Sequence, residues 1–358
     1  GEGHQIIGVL VGKSPVRRLP DFFFEKIEAP VYLFESPNFL PSAKNKQVNL
    51  AKSVIYNVLR SHRYMSGIRY INRMIKETEA DVVVNFYELL TGLTYLFFRP
   101  KALMVCIAHQ YLFLHPDFVF PKESRLSLAS LKFFTRITAI GAAKKLALSF
   151  RKMREVPSEG IVVVPPLLRR EVLEVTPTNG DYLHGYLLNS GFSEEIRFWH
   201  KAHPAVKLHI FWDKKDVRPE VKVDNHLSFH QLNDTLFVRY MAGAKAYATT
   251  AGFESVCEAM YLGKPVLMVP THIEQACNAF DATLSGAGVV SEQFDLDALL
   301  RLSQTHQPNT SFAHWVKQAD WLILREFRTD VLLEETPSSL WHRLSTGWIY
   351  RLGKSLPI

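Results

Sequence analysis

Short apolar runs separated by amphipathic stretches recur along the whole chain, and this alternation limits the fold more than any other feature. In the first half HQIIGVLVG (4–12), APVYLFE (29–35), DVVVNF (81–86), ALMVCIA (102–108), KKLALSF (144–150) and GIVVVPP (160–166) are β-branched or continuously apolar. That is the pattern of parallel strands covered on both faces. Helical stretches lie between them, the longest being 48–79. PPLLRREVLEVTPTNGD (165–181), with its prolines, glycine and mixed charge, reads as a linker, after which the pattern restarts. DYLHGYLLN, a helix from Ser193, VKLHIFW, HLSFHQ, a helix from Asn233, KAYATT, a helix from Gly252, PVLMVP, a helix from Glu274 and AGVV follow in order. The expected fold class is α/β, with two doubly wound Rossmann-like domains facing a cleft. The domains are placed at 1–166 and 167–310, with C-terminal helices over 311–358, and no internal repeat is found.

A chain of 358 residues, 47% hydrophobic and 22% charged, can bury two cores of ordinary size, which excludes disorder. Cys106, Cys257 and Cys277 are odd in number and widely spaced, so they read as small core residues of a reducing compartment. The longest apolar run, 81–98, carries Asn85 and Glu88, and no membrane span or signal peptide is read. Net charge is +7, yet residues 36–76 and 124–154 together hold sixteen Lys and Arg and no acid. A surface of that kind attracts phosphate, nucleic acid or an anionic leaflet, or it is simply a set of solvated helix faces. No nucleic-acid recognition motif accompanies it, so no nucleic-acid partner is expected.

The most informative segment is TTAGFESVCEAMYLGKPVLMVPTHIEQACNA (249–279). A strand ending at Ala251-Gly252 turns into a helix, and a helix N-terminus at the carboxyl end of a parallel strand offers free N–H groups and partial positive charge to an anion. Gly252 lets a diphosphate approach without a Cβ in the way. Glu258, nearly two turns on, has a carboxylate suited to two ribose hydroxyls. At the next strand-to-helix junction Glu274, Gln275 and Asn278 face the same edge, where carboxylates and amides pair sugar hydroxyls once water leaves. The alternative is an ordinary α/β core segment.

These residues resemble the donor-binding motif of inverting glycosyltransferases with the GT-B fold. The plant UDP-glycosyltransferases and the bacterial enzyme that adds N-acetylglucosamine to the lipid-linked peptidoglycan precursor both belong there. The motif's glycine, aromatic, polar residue and serine match Gly252, Phe253, Glu254 and Ser255; its later residues match Glu258, Glu274, Gln275 and Asn278. The resemblance implies Gly252 and Phe253 at the diphosphate, Glu258 at the ribose, and Glu274 and Gln275 at the transferred sugar. It also implies terminal helices that cross back onto the first domain. Thr250 stands where many relatives have histidine, so a hydroxyl must serve there. His230-Gln231 lies near the position of the relatives' base-reading residues, and Ser190 and Gly191 in LLNSGFS offer further phosphate contacts or an ordinary helix start.

Family members begin with a strand and a glycine-rich loop ending in histidine, whereas this chain passes from GEG straight into HQIIGVLVG. The first domain is therefore expected to lack its first strand and helix, with Gly3 on the acceptor side and the loop histidine absent. The remaining base candidates are His109 and Glu88, each following a strand of the first domain, with Gln110 and Tyr111 beside His109. No metal is expected, because FDLD (294–297) sits at a helix start and no His/Cys cluster occurs; no cofactor is expected beyond the nucleotide-sugar substrate.

Tyr111, Phe113, Phe118 and Phe120 suggest an apolar acceptor pocket. Trp341, Trp348 and Tyr350, in a basic tail, suit a membrane interface. The resulting expectation is transfer from a nucleoside diphosphate sugar, UDP-linked, to a glycolipid or other anionic acceptor, in the cytoplasm at the inner membrane face. A nucleotide-sugar epimerase or hydrolase on the same fold, or a non-catalytic nucleotide-sugar-binding protein, remain open alternatives.

Overall fold

The computed structural model describes residues 3–13, 21–37, 61–188, 190–214 and 218–328. Strand β1 (Val9–Lys13), helix α1 (Asp21–Lys26) and strand β2 (Val31–Glu35) form a parallel pair with its connecting helix. Helix α2 (Ser61–Glu77) leads to β3 (Val82–Asn85), α3 (Leu89–Phe98) and β4 (Leu103–Ala108). A 3-10 turn over His109–Leu114, α4 (Arg125–Thr138), β5 (Ala142–Leu148) and β6 (Ile161–Val164) complete a parallel sheet in the order β3-β4-β5-β6. The first strand starts later than the expected 4–12, and residues 38–60 of the acid-free stretch lie outside the described residues.

Helix α5 (Arg170–Glu174) opens the second half, followed by β7 (Tyr182–Leu187), α6 (Ser193–Ala202), β8 (Lys207–Trp212), β9 (Glu220–Lys222), β10 (Leu227–Gln231) and α7 (Asp234–Gly243). Then come β11 (Ala246–Thr249), α8 (Phe253–Tyr261), β12 (Val266–Met268), α9 (Ile273–Leu284), β13 (Gly288–Val290) and α10 (Leu296–Thr305). The seven-stranded sheet runs β13-β12-β11-β7-β8-β10-β9, and all its pairings are parallel except β9 with β10. From β7 the chain steps one way to β8 and β10 and later the other way to β11, β12 and β13. The switch point therefore lies between the carboxyl ends of β7 and β11, where open sheets of this kind bind ligands.

Local chemistry explains the boundaries. Asn233 caps α7 by accepting the Leu236 N–H. Helix α8 buries Phe253, Val256, Cys257 and Met260 on one stripe and ends at Gly263, whose φ of +70° only glycine adopts cheaply. The Gly263 and Lys264 amides return to the Met260 and Ala259 carbonyls, a Schellman closure. The linker departs from expectation in being packed. Val172 of α5 is fully buried and joins a core cluster shared by both halves.

That shared cluster includes Ile107, Leu148 and Phe150 from the first half and Phe237, Tyr247, Phe253 and Val256 from the second. Helices α11 (Thr310–Val316) and α12 (Ala319–Arg325) lie across both halves. The Trp315 indole donates to the Ser149 carbonyl at 3.0 Å, and Lys144 pairs with Glu326 at 2.8 Å just beyond α12. The aromatic tail at Trp341, Trp348 and Tyr350 lies outside the described residues. Among the described residues no helix is long and apolar enough to cross a membrane.

Candidate active site

At the carboxyl end of β11 the chain passes through Thr250, Ala251 and Gly252 into α8. Ala251 is fully buried and holds φ +64°, a left-handed conformation that costs a residue with a Cβ about 1 kcal/mol or more. Gly252 has an ordinary φ of −64° and supplies no side-chain cap to the first turn. A Cβ built on Gly252 would meet only Ser255 Oγ, at 3.7 Å. Nothing in the protein requires glycine there, so the space beside it is available to a ligand. Ser255 Oγ donates back to the Gly252 carbonyl at 3.2 Å. Across the switch point Ser190 and Gly191 form a 3-10 turn ahead of α6, so the glycine junction and this turn share one edge of the sheet.

Glu258 sits on α8 with 4% of its surface exposed. Both carboxylate oxygens accept from one guanidinium: Arg169 Nε reaches Oε1 at 2.6 Å and Nη2 reaches Oε2 at 2.7 Å. Burial raises the Glu258 pKa and Arg169 opposes the rise. Arg169 also bonds Asp234, which in turn pairs with Lys26 of α1 at 2.8 Å; Lys26 bonds Glu171 as well. Sequence reasoning missed Arg169 altogether. Its signal is the Arg pair closing the apolar run PPLLRR, which looks like a charged linker when the fold is unknown.

At the start of α9 Glu274 accepts from the Gln110 amide at 2.9 Å, a contact between the two halves of the molecule. Burial raises its pKa, and the Gln110 bond partly offsets this. Gln275 uses its carbonyl oxygen to hold the Thr271 N–H and hydroxyl, fixing the turn into the helix. Asn278 is buried and its amide reaches the Ala251 carbonyl at 3.5 Å. Thr250, Gly252, Ser255, Glu258, Glu274, Gln275 and Asn278 thus belong to two successive strand-to-helix junctions.

Several expected positions are placed otherwise. The Phe253 ring does not face the helix start but stacks on His109, with centroids 3.9 Å apart and 15° between planes. His109 is 3% exposed rather than open to the cleft. Its Nδ1 donates to the Leu148 carbonyl at 2.7 Å, leaving buried Nε2 without a partner. Burial lowers its pKa, against the nearby Asp281 and Asn278. The ring packs between the halves, because the β4 turn aims it at the shared core. Tyr111 and Phe113 are fully buried and Phe118 nearly so, packed in the first core, so they do not form an open acceptor pocket. The Tyr111 hydroxyl pairs with Thr138.

His230 is likewise packed between Phe211 and Tyr240, with Nε2 at 3.2 Å from His209 Nδ1. Gly3 is exposed and far from these junctions in sequence.

Glu88 is the other carboxylate at a strand end of the first half. It caps α3 through the Leu90 N–H at 3.0 Å and accepts from Ser36 Oγ at 2.8 Å. Asn85 holds its backbone on both sides. Burial raises its pKa, and these donors moderate the shift. A Cβ on Gly12 would fall 2.4 Å from its Oε2, so the carboxylate lies against the end of β1. Among the described residues no group of three or more His, Cys, Asp or Glu is arranged to hold a metal.

With this geometry, a family profile described as glycosyl transferase family 1 matches residues 34–303, well over half of the chain. The chain belongs to that family and is a glycosyltransferase that draws on a nucleotide sugar. Its fold is GT-B, similar to the glycotransferase of kitacinnamycin (14% identity, 83% of this chain and 86% of that one, TM-score 0.55). LpCGTa, solved in complex with UDP, is similar at 12% identity over 95% of this chain and 92% of that one, TM-score 0.54. Arabidopsis thaliana UGT89C1, complexed with UDP-L-rhamnose, is similar at 12% identity over 94% and 91%, TM-score 0.52. No curated protein matches the chain.

Proposed function

We propose that this glycosyltransferase takes its sugar from a UDP-linked donor and transfers it with inversion to a hydroxyl of a lipid-linked or anionic acceptor, without a metal ion. The observation that carries the reading is the uncapped start of α8 behind Gly252, with Glu258 and Glu274 on the same sheet edge. Two similar structures hold UDP or a UDP-sugar, which favours uracil as the base. The first-turn amides of α8 supply hydrogen bonds and partial positive charge to the departing diphosphate, the task a cation performs elsewhere. Glu274 and Gln275 meet the sugar hydroxyls.

In the transfer the acceptor oxygen attacks the anomeric carbon opposite the diphosphate, the carbon–oxygen bond to phosphate breaks, and the hydroxyl proton passes to a base. Glu88 is the better base of the two candidates, since its burial raises its proton affinity while His109 is enclosed. Glu88→Gln is expected to slow transfer about 100-fold or more while leaving UDP affinity unchanged; transfer at the wild-type rate would remove Glu88 from the role. EDTA should leave the rate unchanged.

An anionic membrane face suits the acceptor. Helix α4 exposes Leu126 (78%) and Phe133 (54%) beside Arg125 and Arg136. Flotation with anionic liposomes at low salt tests this, and absence of binding would confine the enzyme to soluble acceptors.

A further inference from the structure

We infer that the transferred sugar is an uncharged one, a neutral hexose or N-acetylhexosamine and not a uronic acid, and that Gln110 of the first half joins Glu274 in selecting it. The inference rests on the donor reading above and names the class of sugar. The Gln110 amide donates to Glu274 Oε1 at 2.9 Å, from one half of the molecule to the other. Both residues keep part of their surface exposed, so the pair stands within reach of a ligand. Among the described residues neither Glu274 Oε2 nor the Gln110 carbonyl oxygen has a partner. Apart from one remaining amide N–H, what the pair offers is therefore acceptors. Acceptors suit hydroxyl groups, each of which brings a proton. A uronate at neutral pH brings further acceptor oxygens and no proton, which leaves both sides unpaired.

Charge points the same way. The carboxylates buried most deeply among the described residues, Glu258, Asp281 and Glu326, are each paired with a cation: Arg169, Arg151 and Lys144. Glu274 has no such partner among the described residues. Burial raises its pKa, the Gln110 bond opposes the rise, and the charge of Glu254 in the first turn of α8 adds to it. His272, just ahead of α9, has its pKa lowered by burial and is neutral at neutral pH. The charge of Glu274 also acts on Tyr87, whose neighbour Glu88 is likewise without an ion pair among the described residues. A second negative charge brought here meets repulsion that nothing offsets. An acid in the first turn of a helix is ordinary, and this accounts for exposed Glu254. It does not account for a half-buried Glu274 bonded to the other half. Recognition of a uronate is best served by a guanidinium with two parallel N–H groups, and among the described residues none stands at this pair.

The test is calorimetry on the full chain with UDP, three neutral donors (UDP-glucose, UDP-galactose and UDP-N-acetylglucosamine) and two uronates (UDP-glucuronate and UDP-galacturonate). Glucose and glucuronate, like galactose and galacturonate, differ only at C6. Wild type should bind its tightest neutral donor about tenfold or more better than either uronate. A smaller preference, or tighter binding of a uronate, would overturn the inference without any variant. Glu274→Gln removes the charge and keeps an acceptor, so the preference should shrink to within about threefold while UDP affinity moves by no more than about twofold. A preference kept in full would overturn the role of Glu274. Gln110→Met should weaken the tightest neutral donor about threefold to fivefold and leave UDP unmoved; equal loss of both would make Gln110 a structural tie between the halves and overturn its selecting role. Thermal unfolding checks that each variant is folded, and the wild-type comparison decides the sugar class alone if a variant is not. UDP bound without discrimination among the sugars would reject this inference and leave the UDP donor intact. Failure of UDP itself to bind would reject the UDP donor, and this inference with it.

Discussion

Two strand-to-helix junctions meet at the middle of this molecule, and they are finished in opposite ways. At the end of β4 the chain turns with His109, whose ring is enclosed by Phe113, Phe150 and Phe253 and whose Nδ1 is bonded to a carbonyl of the next strand. At the end of β11 it turns with Gly252, which has no side chain, no cap and open space where a Cβ would stand. The first junction is filled by the protein's own side chains, with only His109 Nε2 left without a partner, and the second keeps open space. The filled junction presses on the open one through the His109–Phe253 stack, so the enclosed histidine packs directly against the start of α8.

The largest effect that could break this comparison is His109→Ala. Removing a ring from a packed interface and leaving the Leu148 carbonyl unpaired should cost about 3 kcal/mol of stability. UDP affinity of the folded fraction should fall by no more than about threefold. Chemical denaturation and calorimetry separate the two quantities. A stable variant with abolished transfer would restore His109 to the chemistry and make the two junctions alike.

Gly252→Ala should behave in the reverse way and somewhat more mildly. The backbone angle suits alanine and nothing but Ser255 Oγ comes near, so stability should hold or rise by about 0.5 kcal/mol. A diphosphate brought against the amide would meet the new methyl, and UDP affinity should drop about tenfold, or about 1.4 kcal/mol. Unchanged binding would mean that the open space beside the glycine is not where the donor lies.

The contrast also marks what the sequence could convey. Strands and helices were legible because burial periodicity and end signals are local: Asn233 caps, Gly263 closes, and β-branched runs lie in parallel strands. The β9 edge, three residues of mixed polarity, carried no such signal. Residue types at Gly252, Glu258, Glu274 and Gln275 were legible for the same reason, being spaced along one strand-helix-strand-helix unit. The partner of Glu258 was not, since Arg169 stands 89 residues earlier and reaches it only after α5 folds into the groove beside α7. The burial of His109 was not legible, because a histidine after a strand has no mark saying whether its ring turns toward solvent or core. That direction is set by the shared cluster, which exists only when both halves are together.

The smallest effect is the sharpest test of why the open junction keeps its shape. Ala251 holds a left-handed backbone immediately before Gly252, with its carbonyl facing the Asn278 amide. Glycine at 251 would relieve a strain of about 1 kcal/mol but would add freedom to the unfolded chain, so Ala251→Gly should change stability by only about 0.5 kcal/mol in the favourable direction. If the strained alanine serves only the turn, UDP affinity will not move. If it holds the α8 amides in line for a diphosphate, the variant will gain stability and lose affinity together, by about twofold to threefold, because a looser turn must be ordered again on binding. A gain in both would instead show the junction to be strained against its ligand, and the contrast with the enclosed turn at His109 would then lie in packing alone.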